Sequence, residues 1–170
     1  KSRHAPEDRS PLQQRIFTPL QMTQTTVGIE AYLAAENRAI PHIKRQGGWT
    51  QAPVRSGYYD VKPAAGINTT VNDLCKWLIA QMGGNPAVIP LDIVEQVTAK
   101  RVRTIRDMRH KHWRGFLNDA HYGLGWRIYK VGKEELYLHS GWVKGFVAEI
   151  AYSKTRRTGL VVLLNAESNA

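Results

Sequence analysis

The chain has 170 residues, 42% of them hydrophobic and 22% charged, which suits a single globular domain. No apolar run approaches the ~18 residues that a membrane-spanning helix needs, and the one cysteine, Cys75, excludes an internal disulfide or a multi-cysteine metal site. The formal net charge is +10, of which residues 100–114 contribute +6, from seven basic residues and one acid.

The polar N-terminal residues 1–11 are predicted to be irregular. A short helix is expected to begin near Pro11 and to run through residues 14–17. Pro19 ends it, because proline lacks the backbone N–H that a helix interior needs. This helix would therefore be about one turn long.

Residues 25–60 are rich in glycine, proline and aromatic residues and show little sustained periodicity. They predict a long excursion with short strands at residues 28–33 and 40–43, and a connection of this length is usually functional. Tyr58 and Tyr59 lie within it as candidates for the rim of a substrate pocket, although aromatic residues of this kind more often serve packing.

The clearest helix is predicted over residues 70–82. Thr70 is a suitable N-cap residue, Asp73 follows three positions later, and Gly83-Gly84 ends the apolar periodicity. Cys75 lies beside the apolar face of this helix, so it is interpreted as a small core residue rather than as a nucleophile.

A second, weaker helix is predicted over residues 91–99, and the basic residues 100–114 follow it. The simplest interpretation of this basic stretch is a solvated, mobile loop. The alternative is a patch for phosphate, nucleic acid or an anionic surface. Only Trp113 and Phe116 lie near the basic residues, so a stacking platform for single strands is poorly supported.

Residues 121–165 predict four consecutive β-strands joined by short connections, which makes an antiparallel meander. The predicted strands are residues 122–129, 136–139, 146–152 and 160–164. The last strand is apolar throughout and is therefore expected to be buried on both faces. The predicted fold class is α+β, in which residues 121–170 form the sheet and residues 1–120 form a helical region with a long loop excursion.

The candidate chemistry lies at His139-Ser140-Gly141, where the second predicted strand ends. The turn expected at residues 142–145 would leave backbone N–H groups pointing into a cleft, as an acyl-transfer site requires for its oxyanion. Gly141 would let a substrate approach the backbone closely. Composition alone favours a plainer interpretation, a capped β-turn with a buried histidine. The sequence contains no phosphate-binding glycine loop and no paired-cysteine or HExxH metal motif.

Five segments of the chain resemble, in order, the C-terminal portion of the serine β-lactamase, penicillin-binding protein and esterase family, nearest its class C type. They are Arg15-Ile16-Phe17-Thr18-Pro19-Leu20 (R-I-F-x-P-L), Pro63-Ala64-Ala65-Gly66 with Thr69-Thr70 and Asp73-Leu74 (P-A-G-G-x-x-S-T-x-x-D-L), Tyr122-Gly123-Leu124-Gly125-Trp126 (Y-G-L-G-W), His139-Ser140-Gly141 with Gly145-Phe146 (K/H-T/S-G-x-x-x-G-F) and Leu160-Val161-Val162-Leu163-Leu164-Asn165 (G-I-V-V-L-x-N). The resemblance covers most of the chain and implies a partial β-lactamase/transpeptidase-like fold.

The resemblance implies an enzyme in which a serine attacks the carbonyl of a β-lactam, an ester or a peptidoglycan-type peptide and forms an acyl-enzyme, without a cofactor. His139 would supply a polar or cationic group facing that serine. Ser140 would hydrogen-bond the substrate carboxylate or a catalytic tyrosine, and Gly141 would line the substrate site. The backbone N–H of Trp142 would form half of the oxyanion hole.

The family also has two boxes that this sequence lacks. Its nucleophile lies in an S-x-x-K box, and no serine of this chain has a lysine three residues later. The second box, Y-x-N or S-x-N, is absent from residues 1–14, and no long helix is expected after Asn165. The chain is therefore expected to be an incomplete domain, whose S-x-x-K box comes from a second chain or segment. His139 in place of the usual lysine resembles the esterase-like branches, and the resemblance implies the bacterial periplasm or exterior.

Two other functions remain open for the sequence. The missing nucleophile favours a catalytically silent fragment that acts as a binding or structural module. Nucleic-acid binding through residues 100–114 would predict steep salt dependence. It is the least favoured interpretation, and no nucleic-acid partner is expected.

Overall fold

The computed structural model describes residues 10–167, and the prediction for residues 1–9 lies outside this range. The α-helices are α1 Ile29–Ala34, α2 Lys62–Ala65, α3 Val71–Gln81, α4 Leu91–Val97 and α5 Ile105–Arg109. The strands are β1 Thr26–Val27, β2 His42–Arg45, β3 Gly48–Gln51, β4 Ile67–Asn68, β5 Val102–Arg103, β6 Asp119–Tyr122, β7 Arg127–Val131, β8 Glu134–Val143, β9 Phe146–Ser153 and β10 Thr158–Leu164. A π-helical turn, Gln13–Phe17, and a 3₁₀ turn, Ser56–Tyr59, accompany them.

The main sheet in residues 10–167 is a six-stranded antiparallel meander, in which β5 to β10 pair in the order of the sequence. Two small antiparallel ribbons lie outside it, β1 with β4 and β2 with β3. The predicted meander with flanking helices is confirmed, and β5 and β6 extend it beyond the four predicted strands. Across the described residues, every helix is too short or too polar to cross a membrane.

The continuous strand predicted over residues 122–129 is wrong, because a bend at residues 123–126 separates β6 from β7. A Cβ atom at Gly123 would clash with the carbonyl oxygen of Val97, so glycine is required where the chain passes the end of α4. Gly125 adopts φ +83°, in the left-handed region that glycine enters readily. The alternation of apolar residues therefore runs across a break in the sheet.

The helix predicted over residues 70–82 is confirmed as α3. The Thr70 hydroxyl accepts a hydrogen bond from the backbone N–H of Asp73 at 3.3 Å, which is the expected N-cap. Gly83 follows the last turn with φ +87°, so the predicted stop is also present. The weaker helix is present as α4, which ends two residues before the predicted boundary, and the turn predicted after Pro11 is the π-helical one.

The core position predicted for Cys75 is wrong, since its side chain is exposed. Val71, Cys75 and Ile79 are spaced four residues apart and form one row on α3. Val71 and Ile79 are also exposed, which identifies this row as the solvent side of the helix. The buried side of α3 carries Leu78 and Gln81.

The strand predicted at residues 28–33 is also wrong, because α1 occupies this stretch. Gly28 has φ +102° and turns the chain out of β1, and the three-residue spacing of Ile29 and the buried Tyr32 fits a helix. The second predicted strand, residues 40–43, appears as β2, shifted two residues towards the C-terminus.

One face of the main sheet is covered by α3, which packs on β9 and β10. The buried cluster on this face consists of Leu78, Trp126, Ile128, Tyr137 and Tyr152. The rings of Tyr137 and Tyr152 stack with their centroids 5.1 Å apart. The absence of a side chain at Gly159 of β10 leaves room for Leu78 of α3, because a Cβ atom there would lie 2.5 Å from Leu78 Cδ2.

The opposite face is covered over β6 to β8 by the chain from α5 onwards. Met108 and Trp113 pack there against the buried cluster of Leu117, Ala120 and Tyr129. Residues 100–114 are therefore not a uniform loop, since they contain β5 and α5, although most of their basic side chains are exposed as expected.

The prediction that residues 160–164 are buried on both faces is wrong for the part of the chain that the structure describes. β10 is an edge strand of the sheet. Val161 packs into the cluster beneath α3, whereas Leu160 is 61% exposed and Leu164 is 43% exposed. The α5 side of the sheet is covered only as far as β8, so the outward leucines of β10 face solvent.

Candidate active site

The His139-Ser140-Gly141 box lies inside β8 and not, as predicted, at the end of a strand. β8 continues to Val143, and only Lys144-Gly145 form the turn into β9. β7 begins with Arg127, opposite Leu138, so among the described residues the rest of β8 pairs only with β9. The other edge of this part of β8 is open, and alternate residues direct backbone N–H and C=O groups into it.

Successive side chains of β8 point to opposite faces of the sheet. His139 and Gly141 lie on the face that α3 covers, because they share it with the buried Tyr137. Ser140 and Trp142 lie on the face that α5 covers. The open edge is thus flanked by an imidazole on one side and by a hydroxyl on the other.

The bend between β6 and β7 orients the His139 imidazole. Its Nδ1 lies 2.6 Å from the carbonyl oxygen of Gly125. A carbonyl only accepts hydrogen bonds, so Nδ1 carries the proton and Nε2 is the acceptor of the neutral ring. The side chain is exposed and lies in a strand, which contradicts the plainer interpretation of a buried histidine at a capped turn.

Arg127 is a site residue that sequence reasoning missed. Its Nη1 donates a hydrogen bond to Ser140 Oγ at 3.3 Å, and its guanidinium lies over the ring of Tyr122, 5.7 Å from the centroid. Its Nε is 4.0 Å from a carboxylate oxygen of Asp107 in α5. Its side chain is 32% exposed, so a bound anion can reach it. The continuous strand predicted over residues 122–129 obscured the hairpin register that sets Arg127 beside Ser140.

Gly141 and Trp142 complete the open edge. A Cβ atom at Gly141 would have no heavy atom within 4 Å, so no packing inside the described structure requires glycine there. The Trp142 side chain is 62% exposed. Its backbone N–H belongs to the part of β8 that lacks a β7 partner, and its role as an oxyanion donor stays a prediction.

Of the two tyrosines predicted at the pocket rim, only Tyr58 contacts the hairpin that follows the box. Its hydroxyl accepts a hydrogen bond from the backbone N–H of Lys144 at 3.3 Å. Tyr59 instead donates to Asn68 Oδ1 at 2.8 Å and anchors the 3₁₀ turn to β4. Burial raises the pKa of Tyr59, and the neighbouring Tyr32 raises it further.

The tip of the β8–β9 hairpin is held by two segments that are distant in sequence. The backbone N–H of Gly145 donates to Glu167 Oε1 at 2.8 Å. His42 donates its backbone N–H to the carbonyl of Asn165 at 2.9 Å and accepts from the N–H of Glu167 at 2.9 Å. Gly145 has φ +84°, and a Cβ atom there would clash with Pro41. The position of the box therefore depends on a glycine that is packed against residues 41–42.

An open, mainly apolar cavity of about 380 Å³ lies beside the bend between β6 and β7. Its lining includes Leu124 and Trp126, which flank Gly125, but none of the residues of the box. Gln81 lines it with a buried Oε1 that has no hydrogen-bond partner among the described residues. The cavity and the open edge of β8 are thus neighbouring but separate features.

An antiparallel sheet with a His-Ser-Gly box at an open strand edge is the arrangement of serine hydrolases with the β-lactamase and transpeptidase fold. The family model described as Beta-lactamase matches residues 11–170, and the chain belongs to this family. The resemblance stated from the sequence is therefore confirmed. Comparison with curated proteins gives no match.

Three solved structures of the same fold are longer than this chain. The octameric penicillin-binding protein homologue from Pyrococcus abyssi aligns with a TM-score of 0.74 and 20% identity, over 92% of this chain and 33% of its own. The D-amino acid amidase from Ochrobactrum anthropi SV3, complexed with L-phenylalanine amide, aligns with a TM-score of 0.66 and 20% identity, over 91% and 42%. The D-stereospecific amidohydrolase from Streptomyces sp. aligns with a TM-score of 0.65 and 16% identity, over 91% of this chain and 43% of its own. At these identities the likeness establishes the fold alone, and the chain spans less than half of each structure.

Proposed function

We propose that this chain forms the sheet side of a serine hydrolase site, and that a segment outside the 170 residues supplies the nucleophilic serine. The observation that carries the proposal is the open edge of β8, which is flanked by His139 on one face and by Ser140 with Arg127 on the other. Because no serine of the chain has a lysine three residues later, the proposal places the nucleophile on a separate segment.

The proposed reaction passes through an acyl-enzyme. The serine Oγ attacks the substrate carbonyl carbon, its proton passes to a base of the missing boxes, and the carbonyl oxygen becomes an oxyanion that accepts a hydrogen bond from the Trp142 N–H. The leaving group departs with a proton, and water then hydrolyses the acyl-serine. Loss of one oxyanion donor costs about 3 kcal/mol of transition-state stabilisation in comparable sites. Nε2 of His139 is the nitrogen of the neutral ring that is left to accept a proton or a hydrogen bond in this site.

The proposed substrate carries a carboxylate near the carbonyl that is attacked. Arg127 and Ser140 together offer a guanidinium and a hydroxyl, and guanidinium groups bind carboxylates with two parallel hydrogen bonds. This supports a β-lactam or a peptide-type substrate over a neutral ester. Two structures of the same fold carry amide-hydrolase names, which adds amides to the proposed range.

The test is the intact mass of the native protein after labelling. Protein captured from its natural source with an antibody against these residues is incubated with a fluorophosphonate or a reactive penicillin. We expect one adduct on a heavier polypeptide that contains this sequence, or on a second chain captured with it. A single unlabelled species of 19.2 kDa would refute the proposal and would leave the catalytically silent binding or structural module as the function.

The periplasm or the cell exterior is the proposed location, and it rests on the family to which the chain belongs. Fractionation of the source cells tests it, because recovery with the cytoplasmic fraction would contradict this location.

A further inference from the structure

The basic residues 100–114 have no part in the proposed active site. Their single acid, Asp107, is turned inwards onto the sheet. Burial raises the pKa of the Tyr129 hydroxyl, and its hydrogen bond with the Asp107 carboxylate raises it further. The same carboxylate lies 4.0 Å from Nε of Arg127. The outer side of the stretch is therefore left with positive charge alone.

The cations of this stretch fall into two groups. Those near β5 have partners, since Lys100 pairs with Glu135 and Arg103 pairs with Asp119. Arg101 donates a hydrogen bond to the carbonyl oxygen of Gln96 at 3.3 Å. Four exposed cations farther along make no ion pair and no side-chain hydrogen bond with any described residue. These four, which we call the cationic surface, are Arg106, Arg109, Lys111 and Arg114.

Exposed apolar side chains flank the residues of the cationic surface in the sequence. Ile105 precedes it and is 48% exposed, and Phe116 follows it and is 67% exposed. The indole of Trp113 packs edge-on against the ring of Tyr129, with the centroids 5.4 Å apart. Trp113 therefore fixes the segment to the sheet while Phe116 remains free to contact another surface.

We propose that the cationic surface, with Ile105 and Phe116, is a docking site for an anionic lipid bilayer. Basic side chains beside exposed aromatic and aliphatic ones are the arrangement of segments that lie in a membrane interface, where cations meet headgroups and apolar groups enter the acyl boundary. A nucleic acid offers phosphates but no apolar layer for Ile105. Sequence-independent binding to single strands also needs several aromatic platforms, whereas Phe116 is the one large ring exposed here, and the exposed imidazoles of His110 and His112 contact each other edge-on.

Vesicle sedimentation at about 0.1 M salt tests the proposal, with the native protein that contains these residues and vesicles of phosphatidylcholine containing about 30% phosphatidylglycerol. We expect binding to these vesicles and none to pure phosphatidylcholine. Each cation near an anionic surface contributes roughly fivefold in affinity, so replacing the four cations with glutamine should weaken binding by at least about a hundredfold. Phe116→Ser should weaken it about tenfold and should leave a larger share of the remaining binding sensitive to salt.

The matched control replaces four other exposed cations that have no ion-pair partner among the described residues, namely Lys44, Arg45, Arg55 and Lys62. It removes the same net charge, and we expect it to retain most of the binding. Equal losses in the two four-glutamine variants would overturn the proposal, because attraction would then follow net charge alone. A 20-base-pair DNA duplex, about two helical turns, is measured in parallel. Tight binding to this duplex that Phe116→Ser leaves unchanged, together with no binding to vesicles, would also overturn the proposal in favour of a nucleic acid.

Discussion

Gly145 is the residue on which the hairpin after the box depends. Its φ is +84°, and a Cβ atom there would clash with Pro41. The same Cβ atom would lie only 3.0 Å from the backbone nitrogen of His42. We expect Gly145→Ala to lower the free energy of unfolding by about 3 kcal/mol, from left-handed strain together with the clash. Urea unfolding of the purified chain measures this loss.

Gly132 provides the matched control for this substitution. It lies in the turn between β7 and β8 with φ +59°, and a Cβ atom there would meet nothing within 4 Å. Gly132→Ala should therefore cost only the strain of the left-handed backbone, about 1 kcal/mol. If both variants lose the same amount, packing against residues 41–42 does not require a glycine at position 145.

Arg127 allows the proposed substrate class to be tested. We expect Arg127→Gln to raise KM about tenfold or more for a substrate with a free carboxylate, because the guanidinium and the carboxylate form a charge-assisted pair. The KM for the methyl ester of the same substrate should change less than twofold. Steady-state kinetics of the native protein and its variant supply both values, and an equal effect on the two substrates would rule out carboxylate recognition by Arg127.

At the scale of residues, the sequence predicted what depends on local chemistry and missed what depends on register. The cap by Thr70 and the stop at Gly83 follow from neighbours within one helical turn, and both are present. Arg127 becomes a neighbour of Ser140 only when the β7–β8 pairing is known. The bend that fixes this pairing depends on the contact of Gly123 with Val97, which is distant in sequence.

At the scale of elements, Asp73 ties α3 to the segment before β1. Its carboxylate accepts hydrogen bonds from the Gln24 backbone N–H at 2.8 Å and from the Thr25 hydroxyl at 2.9 Å, and it pairs with Lys76 at 3.0 Å. Burial by itself raises the pKa of this carboxyl, but the hydrogen bonds and the lysine outweigh it, and the pKa of Asp73 is lowered. The ionised form is therefore the one that the fold stabilises.

We expect Asp73→Asn to lower the free energy of unfolding at pH 7 by about 2 kcal/mol, because a buried charged acceptor is lost. The pKa of Asp73 is lower in the folded chain than in the unfolded chain, so the contribution of the carboxylate is complete above pH ~4. It is lost as the pH falls through the folded pKa. The difference between wild type and variant should therefore shrink below pH ~4, as urea titrations across this range would measure. Asp60→Asn, at an exposed site, is the control, and a difference that persists unchanged to pH ~2 would contradict the assignment.

Elements were predictable where one signal decided them and failed where two patterns overlapped. Residues 28–33 alternate weakly and also place apolar side chains three apart, and the backbone of Gly28 decides for the helix. In the sequence of α3, apolar residues lie on both sides of Cys75 around the helix. Only the packing of Leu78 on the sheet determines which side of the helix is buried.

At the scale of the molecule, the two faces of the sheet are covered unequally. α3 covers one face as far as β10, and the segment from Met108 to Leu117 covers the other only from β6 to β8. An unbroken apolar strand indicates burial on both faces. Among the described residues only one face of β10 is covered by another element. The sequence of β10 therefore predicts a covering element on the other face that this part of the chain does not contain.

Leu160 and Val161 test this inequality, because they are neighbours in one strand with opposite surroundings. We expect Leu160→Thr to change the free energy of unfolding by less than about 0.5 kcal/mol, since the side chain already faces water. Val161→Thr should cost about 1.5 kcal/mol, because it places a hydroxyl in the cluster beneath α3. Urea unfolding of the 170-residue chain supplies both values, and equal costs would contradict a sheet covered on one side. The same two variants are then measured in the native protein, which tests the proposed missing segment. If the loss in free energy of unfolding for Leu160→Thr rises there towards that of Val161→Thr, additional chain must lie on the face that carries Leu160.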